Sequence, residues 1–279
     1  MPKIPNAPKS IKKGYALKNL LDEEAIDCLA NNIAHVYPKF QSKEFRKSAL
    51  DNLEPLEFMD RAKHIAIALH QYLPDKYEKA IDVILASLTP PNIATEGLGL
   101  AVLFYLPHSC FISLYGLDKE NNAGSDPFNI SMKAQYELTK RNTSEFSMRP
   151  FLIKDQDRTL SQLIKWTTDP DPHVRRLCSE GSRPRLPWAP RIPAFIEDPL
   201  PILPILESLK NDQSLYVRRS VANSLGDIAK DHPELVFDIC ERWLSDASKE
   251  LKWVIRHALR HPAKKGNEVA LQLRIKARN

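Results

Sequence analysis

Carboxylates and arginines recur at helical spacing in the second half of this chain of 279 residues. In one segment, Arg219, Asn223 and Asp227 follow one another four residues apart, which places them on one stripe of a helix. Arginines on such a surface could bind phosphates, whereas a carboxylate could stabilise positive charge that develops in a reaction. The combination points beyond simple phosphate binding, because a phosphate-binding surface has no need of carboxylates.

The segment is part of a sequence repeat. DPDPHVRRLCSEGS, NDQSLYVRRSVANSLGDIA and SKELKWVIRHALRHPAK align on Val174, Val217 and Val254, which are 43 and 37 residues apart. Each follows a preceding helical pattern and a short polar turn. This spacing is typical of HEAT-type repeats, in which antiparallel helix pairs stack into a curved solenoid. Within the middle repeat, Val217 and Val221 continue to Leu225 as the predicted buried face.

Stacked repeats would bring their polar stripes side by side. The equivalent positions are Arg176 and Glu180 in the first repeat, and Arg256 and Arg260 in the third. The expected result is a cationic groove that contains two carboxylates, Glu180 and Asp227. Arginine–carboxylate pairs also form structural ladders between HEAT repeats, so the pattern by itself leaves a scaffold and a reactive site both open.

The loop predicted beside this groove is Ser179 to Arg191, written SEGSRPRLPWAPR. It holds three prolines, which stiffen the backbone, and a single tryptophan, Trp188. A tryptophan in a loop exposes a large apolar ring unless something covers it. Either the fold covers Trp188 or a ligand does.

The composition favours an all-α fold, because glycine is scarce, at 8 residues, whereas proline is plentiful, at 22. Apolar periodicity predicts helices from Leu17 onward, among them one at about 96–105. We expect a flexible arm at 1–15 and a single helical solenoid domain at 16–279. Within that domain, about 16–125 form an N-terminal helical part and about 126–279 form the HEAT-like repeats.

The net charge of +5 arises in the C-terminal half, where 24 basic side chains face 18 acidic ones after residue 140. This asymmetry favours a polyanion as partner. The four cysteines lie far apart without a CxxC pair, as expected for reduced thiols in a cytoplasmic protein. The sequence shows neither an apolar run of membrane-spanning length nor a secretory signal, so we expect no membrane association.

Several of these segments together resemble the AlkC branch of the HEAT-like-repeat DNA glycosylases, which are relatives of AlkD. The resemblance rests on HVRRLCSEGSRPRLPWAPR, with TSEFSMRPFL upstream and LYVRRSVANSLGDIAKDHPEL and HALRHPAKKG downstream. YALKNLLDEEAIDCLANNIAHVYPKF and RAKHIAIALHQYLPDKYEKAIDVILASL are similar to the helical N-terminal region of that family. The tail after Gly266 departs from the pattern, since ALQLRIKARN is not followed by the immunoglobulin-like domain of some members.

The resemblance implies excision of 3-methyladenine and 3-methylcytosine from double-stranded DNA in base excision repair. It implies four catalytic residues, which are Glu145, Glu180, Trp188 and Asp227. The basic residues expected to contact DNA are Arg149, Arg175, Arg176, Arg183, Arg185, Arg218, Arg219, Arg256, Arg260, Lys264 and Lys265. The enzyme is expected to act as a monomer.

The chemistry implied is hydrolysis without a cofactor. Alkylation at a ring nitrogen makes the base a cation that can depart neutral, so the carboxylates would stabilise the positive charge on the sugar. No lysine aligns with the carboxylates as an amine nucleophile, which favours a monofunctional glycosylase with water as nucleophile. His257 and His261 lie four residues apart without a third ligand, and we expect no metal site. The alternatives are a non-catalytic HEAT-repeat protein that binds damaged DNA and a protein–protein scaffold.

Overall fold

The computed structural model of the chain describes residues 1–11 and 13–278, and every regular element among them is a helix. The predicted all-α class is confirmed. The chain divides into two compact units, Met1–Ser147 and Met148–Asn279. Lys12 of the predicted arm and Asn279 of the predicted domain lie outside the described residues. The predicted division into an arm at 1–15 and one domain at 16–279 stays a prediction.

The first unit consists of α-helices and short 3-10 helices. Its 3-10 helices are Leu17–Leu21, Ala101–Tyr105 and Glu120–Asn122. Its α-helices are α1 (Glu23–Val36), α2 (Ser42–Leu50), α3 (Phe58–Tyr72), α4 (Tyr77–Ala86), α5 (Leu106–Tyr115) and α6 (Phe128–Thr139). The core of this unit is apolar, with residues such as Ile26, Ile65 and Phe111 at most 1% exposed. A further helix, α7 (Glu145–Lys154), spans the boundary between the units.

One predicted helix of the first unit, at 96–105, is wrong over its first half. Only Ala101–Tyr105 is helical, and it forms a 3-10 helix that leads into α5. Gly97 and Gly99 precede it with φ of 73° and 70°, a left-handed backbone that cannot continue a right-handed helix. The apolar spacing predicted a helix there because it did not weigh these two glycines.

The first residues of the chain make hydrogen bonds to the first unit. The amide of Lys3 donates to Oδ1 of Asn32 at 2.9 Å, and Nδ2 of Asn32 donates to the Lys3 carbonyl at 2.7 Å. The amide of Leu100 donates to the carbonyl of Pro8 at 3.1 Å. These bonds give the segment defined partners on α1 and before the 3-10 helix at Ala101.

The second unit is built from consecutive helix pairs. Its α-helices after α7 are α8 (Gln156–Trp166), α9 (Pro172–Gly181), α10 (Pro193–Glu197), α11 (Leu203–Leu209), α12 (Leu215–Ile228), α13 (Pro233–Leu244), α14 (Lys249–Ala258), α15 (Arg260–Lys264) and α16 (Glu268–Lys276). A 3-10 helix, Leu200–Ile202, precedes α11. The pairs α8–α9, α11–α12 and α13–α14 correspond to the three predicted repeats, and the short turns within them make each pair antiparallel.

The second helices of the three pairs lie side by side, because α9 and α14 both pack against α12. The predicted buried face of α12 is confirmed: Val217, Val221 and Leu225 are fully buried. Gly226 allows close approach, since a Cβ there would lie 3.3 Å from the carbonyl oxygen of Ala258 on α14. The stacking predicted from the repeats therefore places the polar stripes of α9, α12 and α14 next to one another.

Other sequence-based expectations concern cysteines and membranes. All four cysteines are free, and Cys178 and Cys240 are buried whereas Cys28 and Cys110 are half-buried. No helix in the described part of the chain has the length and apolar character that crossing a membrane requires.

Candidate active site

Two carboxylates from neighbouring repeats meet at one arginine. Arg183, in the loop after α9, donates from Nη1 to Oε1 of Glu180 at 2.6 Å and from Nε to Oδ2 of Asp227 at 2.8 Å. All three side chains are shielded, with 10% or less of each exposed. Lys230 contacts the second oxygen of Asp227 at 2.9 Å. The predicted juxtaposition of the stripes on α9 and α12 is thus a charged cluster, Glu180–Arg183–Asp227.

The cluster keeps Glu180 ionised. Burial by itself would raise the pKa of Glu180, but the positive charges of Arg176 and Arg183 outweigh it and hold the pKa below its ordinary value. Arg176 lies 3.5 Å from the same carboxylate oxygen that Arg183 contacts. At neutral pH, Glu180 is therefore an anion and a poor proton donor.

The loop after α9 is fixed by Arg149 of α7. Its guanidinium donates to the carbonyls of Gly181 and Arg183 at one end of the loop and to that of Pro190, at 2.6 Å, at the other. Arg149 is fully buried. The contact of Arg149 with DNA stays a prediction, and the structure shows this side chain enclosed by its own loop.

Trp188 lies at the exposed part of this loop. Its side chain is 62% exposed, so the fold does not cover it. Its backbone adopts φ of 62°, a left-handed conformation that costs a bulky residue about 1–3 kcal/mol. The alternative of a core tryptophan is excluded for Trp188, whereas Trp243 is buried and Trp166 and Trp253 are half-buried. An exposed ring held in a strained backbone is a feature that stability alone does not explain.

The stripe continues from α12 to α14. Oδ1 of Asn223 accepts a hydrogen bond from Nη2 of Arg260 at 3.0 Å and lies 3.2 Å from Nε2 of His257. Burial, together with the charges of Arg260 and Arg219, lowers the pKa of His257 to about 4. His257 is therefore neutral at physiological pH, and Arg260, the first residue of α15, is a cation that reaches this stripe.

Comparison with known proteins connects this arrangement to DNA repair. A family model described as DNA alkylation repair enzyme matches residues 143–265, the part of the chain that contains the cluster and the loop. The solved structure of AlkC, an alkylpurine DNA glycosylase of Pseudomonas fluorescens bound to DNA containing an abasic site analog, has 38% identity and a TM-score of 0.81. That similarity covers 93% of this chain and 68% of AlkC. The chain belongs to the AlkC-type alkylpurine DNA glycosylases.

A curated relative extends the same comparison. YhaZ of Bacillus subtilis (strain 168) is 39% identical over 258 residues, which are 92% of this chain and 67% of YhaZ. The resemblance to the AlkC family, inferred from sequence motifs, is confirmed, and so is its fold of HEAT-like helix pairs.

Glu145, the remaining acidic residue predicted from AlkC-type motifs, belongs to the first unit and begins α7. It is 8% exposed, and Oγ1 of Thr143 donates to its Oε2 at 2.7 Å. Glu180, Asp227 and Trp188 belong to the second unit. The structure therefore brings together two of the predicted carboxylates, with the Trp188 loop attached through Arg183.

Several arginines predicted to contact DNA in this AlkC-type chain are engaged within the protein. Arg175 donates to both oxygens of Asp212, at 2.6 and 3.0 Å, and Arg218 donates to the Asp212 carbonyl at 2.6 Å. These contacts form an arginine–carboxylate ladder between repeats, which is the structural alternative that the sequence left open. The donors of Arg175 and Arg218 hold the turn before α12, and Arg183 bridges the two carboxylates. DNA contact by these three arginines stays a prediction.

Three other arginines contact groups of the protein but are only half-buried. Arg185 makes a two-point contact with Asp231, at 2.8 and 2.7 Å, and Arg256 donates to the carbonyl of Ala277. Arg176 lies over the ring of Tyr216, 5.1 Å from its centre. Each of these arginines is half-buried, so part of each residue remains exposed.

Three of the predicted DNA contacts are exposed and uncommitted. Arg219, Lys264 and Lys265 are exposed, and none of their side chains forms a hydrogen bond or ion pair with another described residue. Charges of this kind are the ones that can neutralise phosphates without first breaking a contact in the protein.

Sequence reasoning missed the internal roles of Arg183 and Lys230. Both follow a carboxylate by three residues, Arg183 after Glu180 and Lys230 after Asp227, and this spacing brings side chains together at the end of a helix. That signal was available in the sequence. For His257 and His261, the structure offers no metal centre: no group of three or more His, Cys, Asp or Glu side chains suited to a metal occurs among residues 1–11 and 13–278.

Proposed function

We propose that this protein hydrolyses the N-glycosidic bond of cationic alkylated bases in double-stranded DNA, with 3-methyladenine and 3-methylcytosine as substrates. The observation that carries the proposal is the shielded Glu180–Arg183–Asp227 cluster beside the exposed Trp188 loop. The relative AlkC, solved with DNA that contains an abasic site analog, supports DNA as the partner.

The charge state of Glu180 supports the choice of substrate. Arg183 contacts Glu180 at 2.6 Å and, with Arg176, holds its pKa low, so Glu180 is a poor general acid. A neutral base departs readily only if it is protonated. A base that already carries a positive charge takes up the electron pair of the breaking bond and leaves neutral without a proton donor. The site therefore suits cationic lesions.

In the proposed reaction the bond from C1′ of the deoxyribose to the base nitrogen breaks, and its electron pair goes to the base. The carboxylates of Glu180 and Asp227 stabilise the positive charge that develops on the sugar, in a shielded setting where such interactions are strong. A water molecule then attacks C1′ and loses a proton, which leaves an abasic site. We assign no nucleophilic role to the Lys230 amine, which pairs with Asp227 at 2.9 Å, so the proposed enzyme is monofunctional.

We assign supporting roles to three further features. The Trp188 ring lies against the cationic base or the sugar, an attraction worth about 0.5–2 kcal/mol. Glu145 contributes a third anionic side chain. Arg219, Lys264 and Lys265 neutralise phosphates, helped by the exposed parts of Arg176, Arg185, Arg256 and Arg260. The protein acts as a monomer in the cytoplasm.

The test compares carboxylate variants with a matched control. Glu180→Gln and Asp227→Asn should each slow single-turnover excision by about 100-fold, because one preorganised charge is removed from the transition state. Duplex affinity should stay the same or rise, since removing a negative charge cannot weaken attraction to phosphate. Asp212→Asn is the control, because the Asp212 side chain is as shielded as that of Asp227, 5% for each, and is also paired with an arginine.

The control separates chemistry from stability. Asp212→Asn should lower the free energy of unfolding while the folded protein excises at the wild-type rate. Near wild-type excision in both Glu180→Gln and Asp227→Asn would contradict the roles assigned to these carboxylates. Binding of damaged duplex by the wild type with no excision at all would favour the alternative of a protein that binds damaged DNA without cleaving the glycosidic bond.

A further inference from the structure

Arg149 is the largest fully buried side chain among the described residues, and the proposed chemistry does not use it. An arginine keeps its positive charge at every physiological pH. Burying that charge is unfavourable unless hydrogen bonds compensate for it. An arginine in such a position therefore has a specific set of acceptors.

Four main-chain acceptors of Arg149 belong to one segment. Its guanidinium donates to the carbonyls of Gly181 at 3.2 Å, Arg183, Pro184 at 3.4 Å and Pro190 at 2.8 Å from Nε. Pro184 and Pro190 lie on either side of Trp188. The amide of Ile192 also donates to the Pro184 carbonyl at 3.1 Å, which closes the same loop. Arg149 thus fixes the start and the end of the segment that presents Trp188.

The conformation of Trp188 requires such a constraint. With φ of 62° and a ring that is 62% exposed, Trp188 gains little from packing that would hold its backbone in the left-handed region. Strained conformations persist only where surrounding structure determines them. In this loop, the two ends fixed by Arg149 hold the backbone of Trp188 in the left-handed region.

We infer that Arg149 is a positioning residue for base excision: it holds the Trp188 loop in the conformation in which the ring meets the lesion. The inference rests on the proposed function, because it assigns Arg149 an effect that acts through Trp188. It predicts that changes at Arg149 reduce the rate of excision more than they reduce binding of undamaged duplex.

The test is a double-mutant cycle between Arg149→Met and Trp188→Ala, read out as the single-turnover excision rate. Each single variant should slow excision by roughly tenfold. The double variant should be no slower than the slower single variant, because the arginine has nothing left to position. Duplex affinity should change by less than twofold in Arg149→Met. An additive, roughly hundredfold loss in the double variant would overturn the inference.

Arg149→Lys provides a second variant that keeps the charge but cannot span four carbonyls. In this variant, trypsin should cleave after Arg185 or Arg191 faster than in the wild type, while excision slows. The matched control is Arg61→Lys, because Arg61 is 6% exposed and donates to main-chain carbonyls of the first unit, including those of Leu56 and Glu54. Arg61→Lys should lose stability without slowing excision in the folded protein. Equal slowing in both lysine variants would contradict a specific role for Arg149.

The outcomes separate this inference from the proposed function. Slow excision by Trp188→Ala with normal excision by the Arg149 variants would overturn the positioning role alone. Wild-type excision by Trp188→Ala would remove Trp188 from the proposed site and the role of Arg149 with it.

Discussion

At the scale of single residues, Trp188 combines exposure with backbone strain. Trp188→Ala should leave the melting temperature almost unchanged, because a ring that is 62% exposed leaves little cavity behind. Excision should fall by about tenfold, the kinetic equivalent of about 1.4 kcal/mol, and Trp188→Phe should recover part of it. A melting curve and a single-turnover rate for each variant provide the measurement. A large fall in melting temperature with an unchanged rate would contradict this account.

The strained backbone at Trp188 also predicts the stability of a glycine variant. Glycine adopts φ of 62° without steric cost, so Trp188→Gly should be at least as stable as Trp188→Ala and as the wild type. It should excise no faster than Trp188→Ala. Urea denaturation of the three proteins tests this directly. If Trp188→Gly proved the least stable, the left-handed backbone at this position would not be a source of strain.

The lowered pKa of Glu180 predicts that the free energy of unfolding depends on pH. Its folded-state pKa lies below that of an unfolded glutamate, about 4.3, because Arg176 and Arg183 outweigh the effect of burial. The stabilising contribution is fully present above pH 4.3 and is lost as the pH falls through the lower folded-state pKa. The free energy of unfolding should therefore fall less steeply between pH 6 and pH 3 in Glu180→Gln than in the wild type. Equally steep curves would contradict the assignment.

Residue roles were predictable from the sequence where a repeat fixed their position. Glu180 and Asp227 occupy equivalent stripes of adjacent repeats, so their approach followed from the alignment. Arg149 did not follow, because its acceptors are backbone carbonyls 32 to 41 residues away, and no side-chain pattern marks such partners. The exposure of Trp188 was one of two open alternatives, since sequence spacing does not reveal what covers a loop.

At the scale of elements, the helices α9, α12 and α14 align the site, and a polar ladder supports them. Arg175→Met removes the two-point contact with Asp212 that joins α9 to the turn before α12. The free energy of unfolding should fall by about 2–4 kcal/mol, because the shielded Asp212 loses its partner. Excision by the folded protein and the salt dependence of DNA binding should stay unchanged. A weaker salt dependence would show instead that Arg175 contacts DNA.

The element boundaries show where periodicity suffices and where it fails. The repeat helices were predicted from apolar spacing, and Asp171 and Ser248 mark the starts of α9 and α14 as N-caps that accept from the amides of His173 and Leu251. The predicted helix at 96–105 fails at Gly97 and Gly99. Their left-handed backbone is a conformational property of two residues that hydrophobic spacing does not record.

At the scale of the whole molecule, the positive excess should appear as salt-dependent binding. The logarithm of duplex affinity should fall linearly with the logarithm of salt concentration, with a slope of about −0.9 per phosphate neutralised. Lys265→Ala and Arg219→Ala should each make the slope shallower by about one, because both side chains are exposed and uncommitted among the described residues. Lys276→Ala is the control, since Lys276 already pairs with Glu241 at 2.6 Å. Unchanged slopes in Lys265→Ala and Arg219→Ala would place the DNA on another surface.

The central claim is hydrolytic release of cationic bases, and identification of the released base tests it most directly. The purified protein is incubated with duplexes that carry a single 3-methyladenine, 3-methylcytosine or 5-methylcytosine, and free bases are measured by mass spectrometry. The third duplex is the matched control, because 5-methylcytosine carries the same methyl group on carbon and stays neutral. The account predicts free 3-methyladenine and 3-methylcytosine, an abasic site in an unbroken strand, and no release of 5-methylcytosine. Binding of the duplexes without any free base, or release of the neutral isomer at a similar rate, would contradict it.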